Sequence, residues 1–313
     1  MFQVKVVVST YMRKTLVAYI CLILTCSVIP NTAALPAVET NAGPIFGSQW
    51  AYADNSTTKT DQIEELPIIV EDYTATWCTN CVKVANTLAE LEDEGLIQKY
   101  AFHRAPDHED PLGDEAADDY YDERYETGLP PIVVFGGTHK KEGSAPESDS
   151  LKQDYQNLIA NPSTIGEGTT YFSWVSGADC ECGMTENSGT ISWNLEAELS
   201  YYSNATLSVH AWIVESYADY ADGGNGQGTY PDVVRKIIDL GNDKNGTATI
   251  TLPEPHDGDD LEVHLMYVLN LPQTEVVDDE EDSDDEKTPG FVLASAMLAV
   301  AIAAVVRSNR YQD

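Results

Sequence analysis

Apolar and polar positions follow two different rhythms along the chain, and the change falls near residue 165. Before it, short apolar runs take turns with helix-spaced segments. Residues 67–73 read as a strand, 78–93 as a helix with Val82, Val84, Leu88 and Leu91 on its apolar face, and 99–104 as a second strand. Residues 116–125 are helical by spacing, and Ile132–Phe135 is a wholly apolar strand followed by the Gly136-Gly137 turn. Residues 151–160 form a closing helix stopped by Asn161-Pro162. Strands alternating with helices predict an α/β layer over 64–163. After Gly166 the pattern becomes β-branched and aromatic, with strands predicted at 169–175, 189–199, 205–216, 233–240, 246–252 and 261–271. Turns such as Gly223-Gly224-Asn225-Gly226 separate them, and no long helix interrupts. That spacing predicts an all-β immunoglobulin-like sandwich over 166–275. Residues 36–63 are polar and read as a linker.

The two ends carry export signals. Met12-Arg13-Lys14 precedes an apolar stretch at 15–29, and Thr32, Ala33 and Ala34 are small, so 1–35 reads as a signal peptide. An uncleaved anchor is the alternative, although the apolar run is short for a span. Cys21 and Cys26 lie inside this segment and leave with it on cleavage. At the other end, an acidic linker at 276–289 leads into an uncharged segment at 290–306, and Arg307 and Arg310 follow in the tail 307–313. Trailing arginines place that end in the cytoplasm and the body on the outer face. Sequons at Asn55, Asn204 and Asn245 are compatible with that side of a membrane.

Charge narrows the class further. Aspartate and glutamate number 52 against 17 lysines and arginines, a formal net charge of −35. Such a surface excludes a nucleic-acid partner, because phosphate binding needs clustered basic residues. It suits high ionic strength, where salt screens the self-repulsion, as in a salt-adapted or marine archaeal source.

The chemistry centres on Trp77-Cys78-Thr79-Asn80-Cys81, placed after a strand and at the start of a helix. Free N–H groups and positive potential at a helix N-terminus stabilise a thiolate at the first cysteine. Two intervening residues let the second sulfur reach back and resolve a mixed disulfide. Cys78 is then the nucleophile and Cys81 the resolving thiol. A structural disulfide and half of a zinc site are the competing readings.

Residues 67–78, running through Asp72 and Trp77 into Cys78, resemble the strand that enters the active site of the thioredoxin family. Residues 125–135, Tyr-Glu-Thr-Gly-Leu-Pro-Pro-Ile-Val-Val-Phe, are similar to that family's cis-proline loop and the strand after it. The resemblance covers about 64–160. It implies a thioredoxin-like fold of the extracytoplasmic thiol-disulfide oxidoreductase type. It also implies a redox-active Cys78–Cys81 disulfide, Asp72 as the buried carboxylate handling the proton of Cys81, Pro130 in the cis-proline position, and Trp77, Leu129 and Pro130 beside the substrate. Thr79-Asn80 replaces the usual Gly-Pro pair, Pro131 replaces the common Thr, and an acidic insertion lengthens 107–122. The tail, with Pro289-Gly290-Phe291 before its apolar segment, resembles the archaeal PGF-CTERM sorting signal. That likeness implies archaeosortase processing and a lipid-replaced anchor; without processing, the segment is a transmembrane span.

Cys180-Glu181-Cys182 sits in a Gly- and Asp-rich loop. The pair can pin the loop as a Cys180–Cys182 disulfide, exchange with Cys78–Cys81, or hold a soft metal. Histidines 103, 108, 139, 210, 256 and 264 lack ligand spacing, so no metal site is expected. Gly223–Gly228 lacks a phosphate-loop context, and no cofactor is expected. The function these readings imply is a membrane-anchored extracytoplasmic thiol-disulfide oxidoreductase whose partners are protein thiols and disulfides. The alternative is a non-catalytic cell-surface binding or structural protein with a structural disulfide. A redox titration and insulin reduction discriminate the two.

Overall fold

A computed structural model describes residues 34–272, except 106–109, 127, 179–184 and 186. The expected signal peptide, the uncharged C-terminal segment and the Cys180–Cys182 pair lie outside the described residues. Among those described, no helix is long and apolar enough to cross a membrane.

Most elements form where their side chains dictate. β4, Ile68–Thr74, is buried along its length after Ile68, as its apolar run requires. α1, Thr79–Asp93, buries Cys81, Val84, Leu88 and Leu91 at helical spacing. β5 follows at Ile97–His103. α2, Glu115–Tyr125, starts where the Asp114 carboxylate accepts the Ala117 N–H at 3.1 Å. After β6, Ile132–Phe135, and β7, His139–Glu142, α3 at Leu151–Ile159 is capped by Ser150 through the Gln153 N–H at 3.1 Å. The later chain forms β8 Gly168–Ser176, β9 Ser188–Ala197, β10 Thr206–Asp219, β11 Thr229–Gly241, β12 Asn245–Thr251 and β13 Leu261–Asn270.

The assembly of these elements overturns the expected succession of a thioredoxin-like α/β domain and an immunoglobulin-like sandwich. The chain is dominated by β-strands, and nine of them, with β1 at Val38–Glu39 and β2 at Ile45–Tyr52, form one mixed sheet in the order β1-β7-β6-β4-β5-β11-β10-β13-β2. Strands on both sides of residue 165 belong to it. They join where β5 runs parallel to β11, with Ala101 opposite Val233. Residues on both sides of 165 lie in one compact unit.

The polar stretch 36–63 is no linker. It contributes β1, Val38–Glu39, as the sheet edge beside β7. β2, Ile45–Tyr52, forms the opposite edge beside β13. β3, Thr57–Gln62, pairs with β8 in a second, four-stranded sheet ordered β12-β9-β8-β3. Gln62 lies opposite Thr169 in that pairing, so residues 63–168 are an insertion leaving and re-entering between two adjacent strands. The chain enters the four-stranded sheet, makes its α/β segment, and returns to the next strand.

Three apolar clusters hold the layers together. Val70, Ile97, Val133 and Phe135 pack against Val84, Leu88 and Leu91 of α1 and Leu151 and Tyr155 of α3. The opposite face of the same strands meets α2 through Ile69, Tyr73, Phe102, Ala117, Tyr121 and Tyr125. Trp212, Val214, Met266 and Val268, from β10 and β13, share that second cluster. The Ile45 N–H bonds the Gly136 carbonyl at 3.0 Å, bringing β2 back to the β6–β7 turn. The third cluster fills the space between the two sheets around Phe172, Trp174, Ile191, Val263 and Leu265.

Candidate functional site

Cys78 and Cys81 are joined by a disulfide, with Cα atoms 5.3 Å apart. Their placement follows from local structure. β4 ends at Thr74, Ala75 and Thr76 make a tight turn in which the Cys78 N–H bonds the Ala75 carbonyl at 3.0 Å, and α1 begins at Thr79. Cys78 is the N-cap of α1. Its Sγ accepts the Cys81 N–H at 3.2 Å, a donor of the first helical turn that the Cys78 carbonyl oxygen shares at 3.2 Å. Its exposure is 6%, against 1% for Cys81, and Thr79 and Asn80 between them are exposed. The first sulfur therefore lies at the helix mouth and the second beneath it.

Apolar surface flanks the opening. Trp77 is 39% exposed and Leu129 73% exposed. The Pro130 carbonyl oxygen is 3.7 Å from Cys78 Sγ, so the loop ahead of β6 reaches the disulfide. The cis peptide bond lies between Pro130 and Pro131. The cis-proline is thus Pro131, one residue later than expected, while Pro130 supplies the carbonyl beside the sulfur.

Asp72 is buried on the face of β4 that α1 and α3 cover, in alternation with Val70. Burial pushes its carboxyl up to about 7, against the pull of the Lys99 ammonium. Its Oδ1 has no hydrogen-bond partner. Glu71, its neighbour, faces the α2 side; burial raises it to about 7 against Arg124 and the Tyr125 hydroxyl. Tyr125 donates to Glu71 Oε2 at 2.5 Å. Two adjacent residues of one strand therefore carry buried carboxyls that titrate near neutrality, on opposite faces of the sheet.

Lys99 neighbours Asp72 and bridges to β11. Its Nζ lies 2.5 Å from Asp232 Oδ2. Burial alone would weaken its hold on the proton, but Asp232 and Glu92 outweigh it and raise its affinity. Glu92 is itself raised to about 7 by burial and by Asp232.

No family model matches the chain, and no curated protein matches it. Among solved structures, it is similar to HBP35 of Porphyromonas gingivalis, at 14% identity and a TM-score of 0.42, over 71% of this chain and 78% of that one. Protein AGR_C_4864 from Agrobacterium tumefaciens is similar at 13% identity and a TM-score of 0.40, over 66% of this chain and 96% of that one. At this distance neither likeness assigns a fold family or an activity.

Other expected positions separate from the disulfide. Asn55, Asn204 and Asn245 are exposed in turns or at a strand start. Among the described residues, no cluster of histidine, cysteine, aspartate or glutamate could hold a metal. Several residues at the site had no signal in the sequence. Asp110 Oδ2 accepts the Thr76 N–H at 2.7 Å and lies 2.9 Å from His103 Nδ1. Burial raises the Asp110 carboxyl, but hydrogen bonds from His103, Thr76 and Leu112 outweigh it, so the net shift is downward. Asn225 and Tyr230 reach the same turn from the β10–β11 hairpin. All belong to loops or strands with no motif, and only the fold brings them to Thr76.

Proposed function

We propose that the chain is a thiol-disulfide oxidoreductase acting on protein partners at the outer face of the cell membrane, with Cys78 and Cys81 as its redox pair. One observation carries the reading: Cys78 Sγ caps α1, accepting the Cys81 N–H at 3.2 Å, at an opening flanked by Trp77 and Leu129. A thiolate at that point is stabilised by the helix end, and a partner polypeptide finds apolar surface on either side. The loop closed by the disulfide also argues for chemistry over stapling. The cysteines are three residues apart, and loop-closure entropy for so short a ring is worth only about 2 kcal/mol.

The exchange runs through a mixed disulfide. A partner thiolate attacks Cys78 Sγ, the Cys78–Cys81 bond breaks, and its electron pair leaves on Cys81, which takes up a proton. The partner's second thiolate then attacks its own sulfur in the mixed disulfide and releases Cys78 as thiolate. Two electrons pass from partner to protein, and the reverse sequence reduces a partner disulfide. Asp72, with a carboxyl at about 7, supplies the proton to Cys81 or removes it. Leu129 and the Pro130 carbonyl position the partner backbone. Location at the outer face rests on the charged and apolar patterns of 1–35 and 290–313.

Insulin reduction by dithiothreitol tests this directly. Wild-type protein accelerates precipitation of the insulin B chain, and Cys78→Ser and Cys81→Ser abolish the acceleration. Equal rates for all three remove the enzyme and leave a surface protein with a structural disulfide.

A further inference from the structure

The chain after residue 165 reaches the disulfide through the tip of the β10–β11 hairpin. The Asn225 N–H donates to the Thr76 carbonyl at 3.0 Å, and Asn225 Nδ2 to the Ala75 carbonyl at 3.4 Å. The Tyr230 hydroxyl donates to Asn225 Oδ1 at 2.8 Å and lies 3.4 Å from the Thr76 carbonyl oxygen. Gly223 and Gly224 lie against Thr76 and Trp77: a Cβ on Gly223 would come within 3.0 Å of the Thr76 oxygen, and one on Gly224 within 3.5 Å of Trp77 Cα. From the other side Asp110 holds the Thr76 N–H, and His103 links the two supports, bonded to Asp110 and packed edge-on against Tyr230 at 5.3 Å.

We propose that Gly223 and Asn225 of this hairpin tip, with Tyr230, form a positioning element of the redox site that sets the reactivity of Cys78. The inference rests on the exchange reading above and deepens it: strands β10 and β11 contribute to the site. The physical reason lies in the Thr76 carbonyl. Thr76 precedes Cys78 by two residues, and its oxygen carries partial negative charge, whereas the Ala75 oxygen is already held by the Cys78 N–H at 3.0 Å. Left without donors, the Thr76 carbonyl can swing toward the sulfur and oppose a thiolate. The Asn225 N–H and the Tyr230 hydroxyl draw that charge away, so the positive end of α1 acts on Cys78 without opposition. The tip also forms the wall of the opening on the Trp77 side. Glycine suits the approach, since a side chain at 223 would collide with Tyr230 Oη at 2.3 Å.

Adjacent substitutions in the full chain separate positioning from bulk stability. Neither Gly223 nor Gly224 takes left-handed backbone, so alanine brings no strain of that kind at either position. The two differ in where the new methyl lands. In reduced protein, alkylation at Cys78 by iodoacetamide, followed by mass spectrometry across pH, reads the thiol pKa. Gly223→Ala and Asn225→Ala are expected to raise that pKa by about one unit, slowing alkylation at neutral pH about tenfold. Gly224→Ala is expected to match wild type. Should Gly223→Ala fail to fold, Asn225→Ala and Tyr230→Phe carry the comparison, with the thermal midpoint measured beside each. Wild-type alkylation profiles in all folded variants overturn the proposal. A shifted profile in a protein that never turns over insulin sinks the oxidoreductase reading but leaves the positioning role standing.

Discussion

At the scale of single residues, the site depends on carboxyls that the fold holds away from water. Asp72 has its folded pKa raised from its ordinary value to about 7, so the folded state binds its proton more tightly than the unfolded chain does. Its contribution to stability is therefore fully present below about pH 4 and is lost as pH rises through 7. Replacing it with the uncharged isostere, Asp72→Asn, should make the protein more stable than wild type at pH 8, with the gap closing below pH 4. Urea unfolding at pH 4, 6 and 8 checks the sign; a variant less stable than wild type at pH 8 contradicts it. The same substitution should flatten the pH dependence of exchange near 7, which a purely structural Asp72 would not do. Asp110 has the opposite sign, because hydrogen bonds hold its carboxyl below the ordinary value. Its stability is present above the unfolded pKa and is lost on acidification, so Asp110→Asn should narrow the loss of stability below pH 4. Sequence placed Cys78 and Cys81 at the start of a helix because strand, turn and helix are contiguous there, whereas Asp72 was singled out only by the resemblance. Asp110, Asn225 and Tyr230 were not legible, since nothing local marks a residue whose partner is 34, 150 or 154 positions away.

Elements follow the same division. β4, α1, β6 and α3 declare themselves through apolar spacing, and their boundaries fall within a residue or two of the pattern. β3 does not, because Thr57–Gln62 holds only polar residues; it alternates half-buried and exposed positions at a sheet edge, where polar side chains discourage further pairing. β2 is hidden for another reason. Gly47, with φ of 122°, and Ser48, with φ of 74°, bulge the strand opposite Leu265 and Met266 and break the alternation. A Cβ on Gly47 would meet the Leu265 oxygen at 2.5 Å, so Gly47→Ala should destabilise by about 1–3 kcal/mol through overpacking and backbone strain. β7 holds no apolar residue to mark it as a strand, yet Lys141 is buried there, its Nζ 3.0 Å from Glu147 and 3.5 Å from Asp154. At the β5–β11 junction, Lys99→Met leaves Asp232 and the buried carboxyls around it without their cation. Loss of about 3 kcal/mol is expected, at the low end for a broken buried pair because Asp232 is partly solvated. Chemical denaturation measures both variants, and values within a few tenths of wild type contradict them.

On the scale of the whole molecule, the sequence concealed an insertion. Two rhythms along the chain suggested two domains in succession, whereas the first sheet crosses from one to the other, and β2 and β3 supply strands from a stretch that looked like a linker. Hydrophobic periodicity reports each strand's faces but not which strand lies beside it, so no local pattern could reveal that Gln62 meets Thr169. The consequence is testable: a chain beginning at residue 64 lacks three sheet strands and leaves the edges of β7, β13 and β8 unpaired, and it should not unfold cooperatively on heating. Continuity of the sheet also places the hairpin of β10 and β11 against the turn before Cys78, which ties the proposed redox site of the first half to the scaffold of the second. The most direct test of that chemistry is capture of the mixed disulfide by Cys81→Ser in the full chain. Mixed with a disulfide-bonded protein such as insulin, this variant should hold one partner polypeptide through Cys78, released by dithiothreitol and absent when Cys78 is also changed to Ser. A folded Cys81→Ser protein that forms no adduct at Cys78 would contradict the redox assignment.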